Sequence, residues 1–246
     1  MREWTAQLVL LVVLLALGAN ARGVEWQTAL KEQTDPAKLA TLGKRGANSR
    51  INKVVFYLHQ AQVAGTTPDA ALDQVFRENG TTGLVAVLSK ETQLLNFQHA
   101  QDWGLLTRPN LEKLKHGEAP TITKGRHKGQ ETDVDHIVPV SLAPEADNSL
   151  ANLELLPASV NRSKGASIGW REVRFAGRLH EADLLSTWTL WRVRWMFIRS
   201  KIVPAAVLSA GFVLLWHFRR ARRVGRIPGA LPMFGHLAVA GLVTFL

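Results

Sequence analysis

Apolar residues recur with helical spacing through the first half of the chain. One run predicts a helix that ends near Gly65, because its apolar positions lie three and four residues apart on one face. These positions are Ile51, Val54, Val55, Leu58 and Ala61. Thr67-Pro68 should start the next helix and Asn79-Gly80 should stop it, and further helices are predicted over 84–100 and 110–115. Residues 22–118 are therefore expected to form a small helical layer that covers another unit.

The pattern changes to strand signals after residue 130. Residues 132–138 are rich in β-branched side chains and stop at Pro139, which predicts a strand. Residues 143–149 contain Pro, Asp and Asn and should form a loop, and the apolar run 150–156 should form a second strand.

A short helix is predicted directly after the second strand. Pro157 suits the first turn of a helix and Gly165 suits its C-terminal cap, so Ala158–Lys164 should form about two turns. Asn161 and Lys164 are three residues apart and should share one face of this helix.

Three segments of this strand-loop-strand-helix unit carry a resemblance to a known family. The segments DVDHIVP (133–139), NLELL (152–156) and NRSKG (161–165) resemble the HNH endonucleases in order and spacing. The resemblance implies a ββα core around one divalent metal. The expected fold class is therefore α+β and mostly helical, with this core behind an N-terminal helical layer and before C-terminal transmembrane helices.

The resemblance also implies roles for four residues. His136 would be the general base that takes a proton from the attacking water, and Asp135 and Asn161 would bind the metal. A carboxylate and an amide oxygen suit one hard ion, most readily Mg²⁺. Asn152 would hold the loop backbone and orient His136 rather than contact the metal. Because adjacent strand residues point to opposite faces, Asp135 and His136 can reach one site only where the strand bends or ends.

Cationic residues flank the motif and suggest contacts with phosphate. Arg162 and Lys164 lie within it, and Lys124, Arg126 and Lys128 lie in a glycine-bounded loop before the first strand. These cations are expected to bind a nucleic-acid backbone, that of DNA, without reading its sequence. A solvated surface loop is the alternative for the second group, in which His127 is interpreted as a surface residue. Glu154 and Asp133 are not assigned a role.

Composition indicates apolar segments outside this unit. Hydrophobic residues make up 46% of the 246 residues while the formal net charge is +10, so both nucleic acid and anionic lipid are candidate partners. The apolar run 8–18 followed by Ala19-Asn20-Ala21 resembles a signal peptide over residues 1–21. An uncleaved N-terminal anchor is the alternative.

The C-terminal region has the pattern of a membrane anchor. Trp188, Trp191 and Trp195 alternate with arginines and predict a basic aromatic interfacial helix over 181–201. Uncharged runs at 202–218 and 227–246 predict two transmembrane helices with an arginine-rich turn between them. The arginines favour a cytoplasmic location for the turn and an extracytoplasmic one for residues 119–180, the predicted nuclease core. Basic residues before Ile202 favour the reverse.

Taken together, these patterns predict a membrane-anchored, metal-dependent HNH endonuclease. A noncatalytic membrane protein that binds nucleic acid through an HNH-like fold would keep the basic residues without needing His136. A structural metal site is a third reading, and the chain's lack of cysteine disfavours it.

Overall fold

The structure is a computed structural model that describes residues 25–223. The predicted signal peptide or anchor at 1–21 and the second transmembrane helix at 227–246 lie outside the described residues. The chain forms two units, with the boundary between Trp195 and Met196. The first unit contains both the helical layer and the predicted nuclease core.

The N-terminal half is helical, as its spacing predicts. Residues 25–34 form α1, and the helices that follow are α2 (Pro36–Ala40), α3 (Asn48–Val63), α4 (Pro68–Glu78), α5 (Gly83–Asp102) and α6 (Arg108–His116). The predicted apolar face of α3 is fully buried in the core. Thr67 caps α4, because its hydroxyl accepts a hydrogen bond from the amide of Ala70 at 3.2 Å. The helix predictions for this region are therefore confirmed, with ends shifted by a few residues.

Two antiparallel strands and a helix follow. Strand β1 (Thr132–His136) pairs with β2 (Leu153–Pro157), and α7 occupies Ala158–Lys164 as predicted. Gly165 ends α7 with φ +49°, a left-handed value that favours glycine. The prediction of an α+β, mostly helical fold with a small sheet is confirmed.

Both strands are shorter than predicted, and Asn152 lies where each of them stops. Val138 leaves the sheet because its amide and carbonyl are bonded by the side chain of Asn152. Residues Leu150–Asn152 form a 3₁₀ turn before β2 begins. A buried side chain thus takes over backbone hydrogen bonds that a longer hairpin would have supplied.

Helix α5 supports the sheet through polar side chains that are buried. Asn96 donates to the carbonyl of Leu153 at 3.0 Å and accepts from the amide of Leu155 at 2.8 Å. Thr92 and Gln93 donate to carbonyls of the 3₁₀ turn. The small sheet is therefore completed by a helix of the N-terminal layer, and β2 contributes Leu153 and Leu155 to the core of that layer.

Two more helices complete the first unit, and an apolar helix dominates the described part of the second. Helix α8 spans Trp170–Glu181 and α9 spans Thr187–Phe197, so residues 181–201 are not one helix as predicted, because a turn at 182–186 precedes α9. A π-helical turn leads to α10 (Val203–Arg223). The helical stretch Thr187–Arg223 is long and apolar enough to cross a membrane, by length and composition.

Candidate functional site

The α7-facing side of β1 carries two carboxylates. Asp133 and Asp135 are two residues apart and therefore point to the same face of the strand. Asn161 of α7 donates its side-chain amide to Asp133 Oδ2 at 3.0 Å. Lys164, one helical turn later, places its ammonium group 2.7 Å from Asp135 Oδ2. Helix α7 thus brings Asn161 and Lys164 onto this face together, as their spacing predicts.

Lys164 lies in an internal ion-pair network. Besides Asp135, its ammonium group contacts Glu154 Oε1 at 3.1 Å and the carbonyl oxygen of His136. Arg171 of α8 binds both carboxylate oxygens of Glu154. The motif predicts a phosphate contact from Lys164, whereas the structure places the ammonium group among three protein oxygen atoms.

Glu154 is the residue that explains this network and that sequence reasoning left unassigned. Its side chain is 1% exposed, and the strand register places it directly opposite Asp135. Two neighbouring carboxylates repel each other unless cations lie between them, and a buried carboxylate requires partners. Lys164 and Arg171 meet this need, and Glu154 in turn raises the pKa of Arg171. The role of Glu154 follows from its pairing with Asp135 across the two strands, and the sequence pattern does not reveal that pairing.

His136 is held on the loop side of β1. Its side chain is 2% exposed, and its Nε2 lies 2.9 Å from both the carbonyl oxygen and the Oδ1 atom of Asp147. Asp147 Oδ2 accepts the backbone amide of Arg45 at 3.0 Å. Sequence reasoning missed Asp147, because one acidic residue in a loop rich in Pro, Asp and Asn has no distinguishing pattern.

Asp135 and His136 contact different elements. Asp135 reaches α7, whereas His136 reaches the loop after the 3₁₀ turn Pro144–Ala146. This arrangement follows from the alternation of side chains along a strand. His136 is also the last residue of β1, and the chain leaves the sheet immediately after it.

Asn152 braces the loop that faces His136. Its fully buried amide accepts from the backbone of Val138 at 2.8 Å, and it donates to the carbonyls of Val138 at 3.0 Å and Ala146 at 3.3 Å. The amide of Ile137 donates to the Asn152 carbonyl at 2.9 Å. Asn152 therefore ties both ends of this loop to one point next to His136.

The basic loop before β1 is attached to the start of α7. Lys124, Arg126 and Lys128 are exposed. His127, interpreted from sequence as a surface residue, lies 3.4 Å from the Ser159 hydroxyl, and Arg126 Nε donates to its other ring nitrogen. Arg162 is also exposed and bonds the Ala158 carbonyl of its own helix. Four cations thus face solvent on α7 and on the loop attached to its start.

The donor set partly fits a hard cation. Among residues 25–223, no group of three or more His, Asp or Glu side chains is arranged as a metal cage. Asp135 and Asn161 offer one carboxylate and one amide oxygen, which suits an ion that keeps several waters and takes phosphate oxygens from a substrate. The Lys164 ammonium group beside Asp135 shows that this position accepts positive charge.

The segment that contains this site matches a known protein family. Residues 121–170 match the family model of the HNH endonucleases. The resemblance drawn from the sequence is thereby confirmed for this segment, which contains the basic loop, the two strands and α7. The match indicates a nuclease-type function and binding of nucleic acid in general, and HNH nucleases generally use divalent metals. No curated protein and no solved structure matches the chain.

Proposed function

We propose that this protein is a membrane-anchored, metal-dependent endonuclease that hydrolyses phosphodiester bonds, with DNA as the substrate. The observation that carries the proposal is the HNH match over residues 121–170, inside which the fold holds Asp135, His136 and Asn161 on adjoining elements.

The proposed chemistry begins with a proton transfer to His136. The imidazole takes a proton from water, the water oxygen forms a bond to phosphorus, and the bond from phosphorus to the 3′ oxygen breaks. The departing oxygen takes a proton from solvent.

Asp135 and Asn161 would hold the divalent ion, for which Mg²⁺ is the proposed species. When bound, such an ion offsets the negative charge that develops on the phosphate and on the leaving oxygen. Glu154 lies opposite Asp135 on β2, and Lys164 and Arg171 neutralise its buried negative charge.

The exposed cations near α7 would position the nucleic-acid backbone. Lys124, Arg126, Lys128 and Arg162 face solvent, and no carboxylate lies in ion-pair distance of them among residues 25–223. Such contacts bind phosphates of any sequence and weaken with salt. We therefore expect tight binding at low salt with little sequence preference.

Plasmid nicking by the full chain in detergent tests the proposal. With Mg²⁺, the wild-type protein should convert supercoiled plasmid to open circles, and chelation should stop the reaction. His136→Ala should lower the rate about 10²–10⁴-fold, which is the usual contribution of a positioned base. His116→Ala changes an exposed histidine at the end of α6 and serves as the matched control. A His136→Ala variant that nicks at the wild-type rate would refute the catalytic role.

A second candidate function has its own structural support. A noncatalytic membrane protein that binds nucleic acid would explain why His136 is buried and why Asp135 is paired with Lys164. This candidate predicts plasmid binding that depends on the exposed cations. It also predicts no nicking with Mg²⁺ or Mn²⁺, so the same assay separates the two functions.

The proposed membrane anchor combines α10 with the tryptophan face of α9. Trp188, Trp191 and Trp195 are exposed and stacked, with neighbouring ring centroids 5.1 and 6.0 Å apart. Indole rings of this kind favour the level of the lipid headgroups. Large apolar side chains along α10 are exposed as well, including Leu208 and Phe212. Lipid is therefore the proposed partner of these two surfaces.

The arginines at the end of α10 support an orientation. Arg219, Arg220, Arg222 and Arg223 follow its apolar stretch, and such clusters usually stay in the cytoplasm, so the nuclease segment would lie outside it. Alkaline phosphatase fused after Gly117 should then be active, and the same enzyme fused after Gly225 should be inactive. The opposite pattern would place the nuclease segment in the cytoplasm.

A further inference from the structure

Asp147 lies beside the proposed general base, His136. We infer that Asp147 is a positioning residue that fixes the tautomer and orientation of His136. The inference rests on the proposed nuclease function. It adds a residue of this chain that the HNH-like motif does not mark.

The hydrogen bonds determine which ring nitrogen of His136 carries the proton. Nε2 lies 2.9 Å from the Asp147 carbonyl oxygen and 2.9 Å from its Oδ1. A carbonyl and a carboxylate can only accept hydrogen bonds, so Nε2 must be the donor. In the neutral ring Nδ1 then keeps its lone pair, because the bond made by one imidazole nitrogen sets the state of the other. Nδ1 is therefore the nitrogen that accepts the proton from water.

The carboxylate of Asp147 is itself held in place by the N-terminal layer. Its Oδ2 accepts the amide of Arg45, a residue with a left-handed φ of +59° in the turn between α2 and α3. The next residue, Asn148, accepts from the amide of Ala47 at 3.1 Å and donates to two carbonyls of the same turn. Residues far apart in sequence thus fix Asp147 on both sides.

The contact between Asp147 and His136 persists through the proposed proton transfer. After proton transfer the imidazolium donates to an anionic oxygen at 2.9 Å, and hydrogen bonds between charged groups are roughly twice as strong as neutral ones. The Asp147 side chain is only 13% exposed, which limits screening by water. Asp147 therefore holds the ring in one orientation before and after the proton transfer.

Nicking kinetics of the full chain in detergent provide the first test. Asp147→Ala should lower the rate at saturating plasmid by about 10- to 100-fold, a part of the 10²–10⁴ that a positioned base contributes. The plasmid concentration for half-maximal rate should not change, because Asp147 does not contact substrate. Asp147→Asn keeps an acceptor oxygen but loses the charge, and it should lower the rate less. Glu145→Gln makes the same charge change in the same loop and should nick at the wild-type rate.

Nitrogen NMR of the histidine rings provides a readout that general destabilisation would not reproduce. In protein labelled with ¹⁵N-histidine, the signal missing from His136→Gln identifies the ring. Neutral wild-type His136 should carry its proton on Nε2, and Asp147→Ala, which keeps the backbone carbonyl but removes the carboxylate, should increase the share of the tautomer with its proton on Nδ1. Asp147→Asn, which is nearly isosteric, supplies the kinetic result if the alanine variant does not fold.

Two results would overturn the inference, and both differ from failure of the proposed function. Wild-type His136 with its proton on Nδ1 would show that Asp147 does not set the tautomer. Wild-type nicking rates in Asp147→Asn, alongside an inactive His136→Ala, would remove Asp147 and leave the base in place. If His136→Ala nicks at the wild-type rate, the proposed function fails first.

Discussion

Replacing Asn152 by alanine should lower stability and nicking rate together. The side chain is fully buried and makes three hydrogen bonds to the loop backbone, two of them to Val138 at 2.8 and 3.0 Å. Truncation leaves the amide and carbonyl of Val138 without these partners in a buried place. Because such bonds contribute about 1 kcal/mol each and unpaired buried groups cost more, the free energy of unfolding should fall by about 2–3 kcal/mol.

Thermal unfolding followed by circular dichroism measures this change. For a domain of this size, 1 kcal/mol shifts the melting temperature by about 2–4 °C, so the variant should melt about 4–12 °C lower. Its nicking rate should be reduced even at temperatures well below its melting temperature, because the loop braced by Asn152 also carries Asp147. This second effect distinguishes local disorder of the loop from global unfolding.

Asn52→Ala is the matched control for Asn152→Ala. Asn52 is a buried asparagine of α3, but it donates one hydrogen bond, to the Gly117 carbonyl at 3.2 Å, and its Oδ1 has no partner. Its loss should cost less stability and leave nicking intact. An Asn152→Ala protein that melts with the wild type, or that melts lower yet nicks at the wild-type rate, would refute the bracing argument.

Three further changes test other parts of the site and the fold. Asn161→Ala should raise the Mg²⁺ concentration needed for nicking, and an unchanged metal titration would remove Asn161 from the metal site. Glu154→Gln should lower the free energy of unfolding by about 3 kcal/mol, because it leaves the Lys164 and Arg171 charges without their shared carboxylate while Arg171 stays half exposed, and urea unfolding measures the loss. Burial lowers the pKa of His99 below its ordinary value of 6.5, so the unfolded chain takes up a proton that the folded chain resists as the pH falls below that value. The melting temperature should therefore drop between pH 7 and pH 5, and His99→Gln should reduce this drop, whereas an unchanged pH dependence would contradict the argument.

The sequence predicts the local elements of this fold well. Helical spacing locates α3 and its buried face, and Pro157 with Gly165 locates α7, because these signals act over a few residues. The strand ends are predicted less well. Val138 is apolar and β-branched, yet the side chain of Asn152 removes it from the sheet, and no local pattern reveals that contact.

The candidate site shows the same division between local and long-range information. The motif spacing places Asn161 and Lys164 on one face of α7, where the structure has them. It does not reveal that Lys164 bonds Glu154, because that contact depends on the strand register. Nor does it reveal Asp147, whose position depends on Arg45 in a distant turn. Local sequence patterns therefore do not predict side-chain partners that come from distant parts of the chain.

The polar face of α5 has a consequence for how the protein folds as it is synthesised. Thr92, Gln93 and Asn96 are made early, but the backbone groups that they bond belong to residues 150–155, between 57 and 59 positions later. Until those residues emerge, the helical layer would bury polar groups without partners, which is costly. The N-terminal half should therefore remain loosely packed on the ribosome, or during export, and consolidate only when β2 arrives. For the same reason, a fragment that begins at residue 119 would lack the helix that completes its sheet.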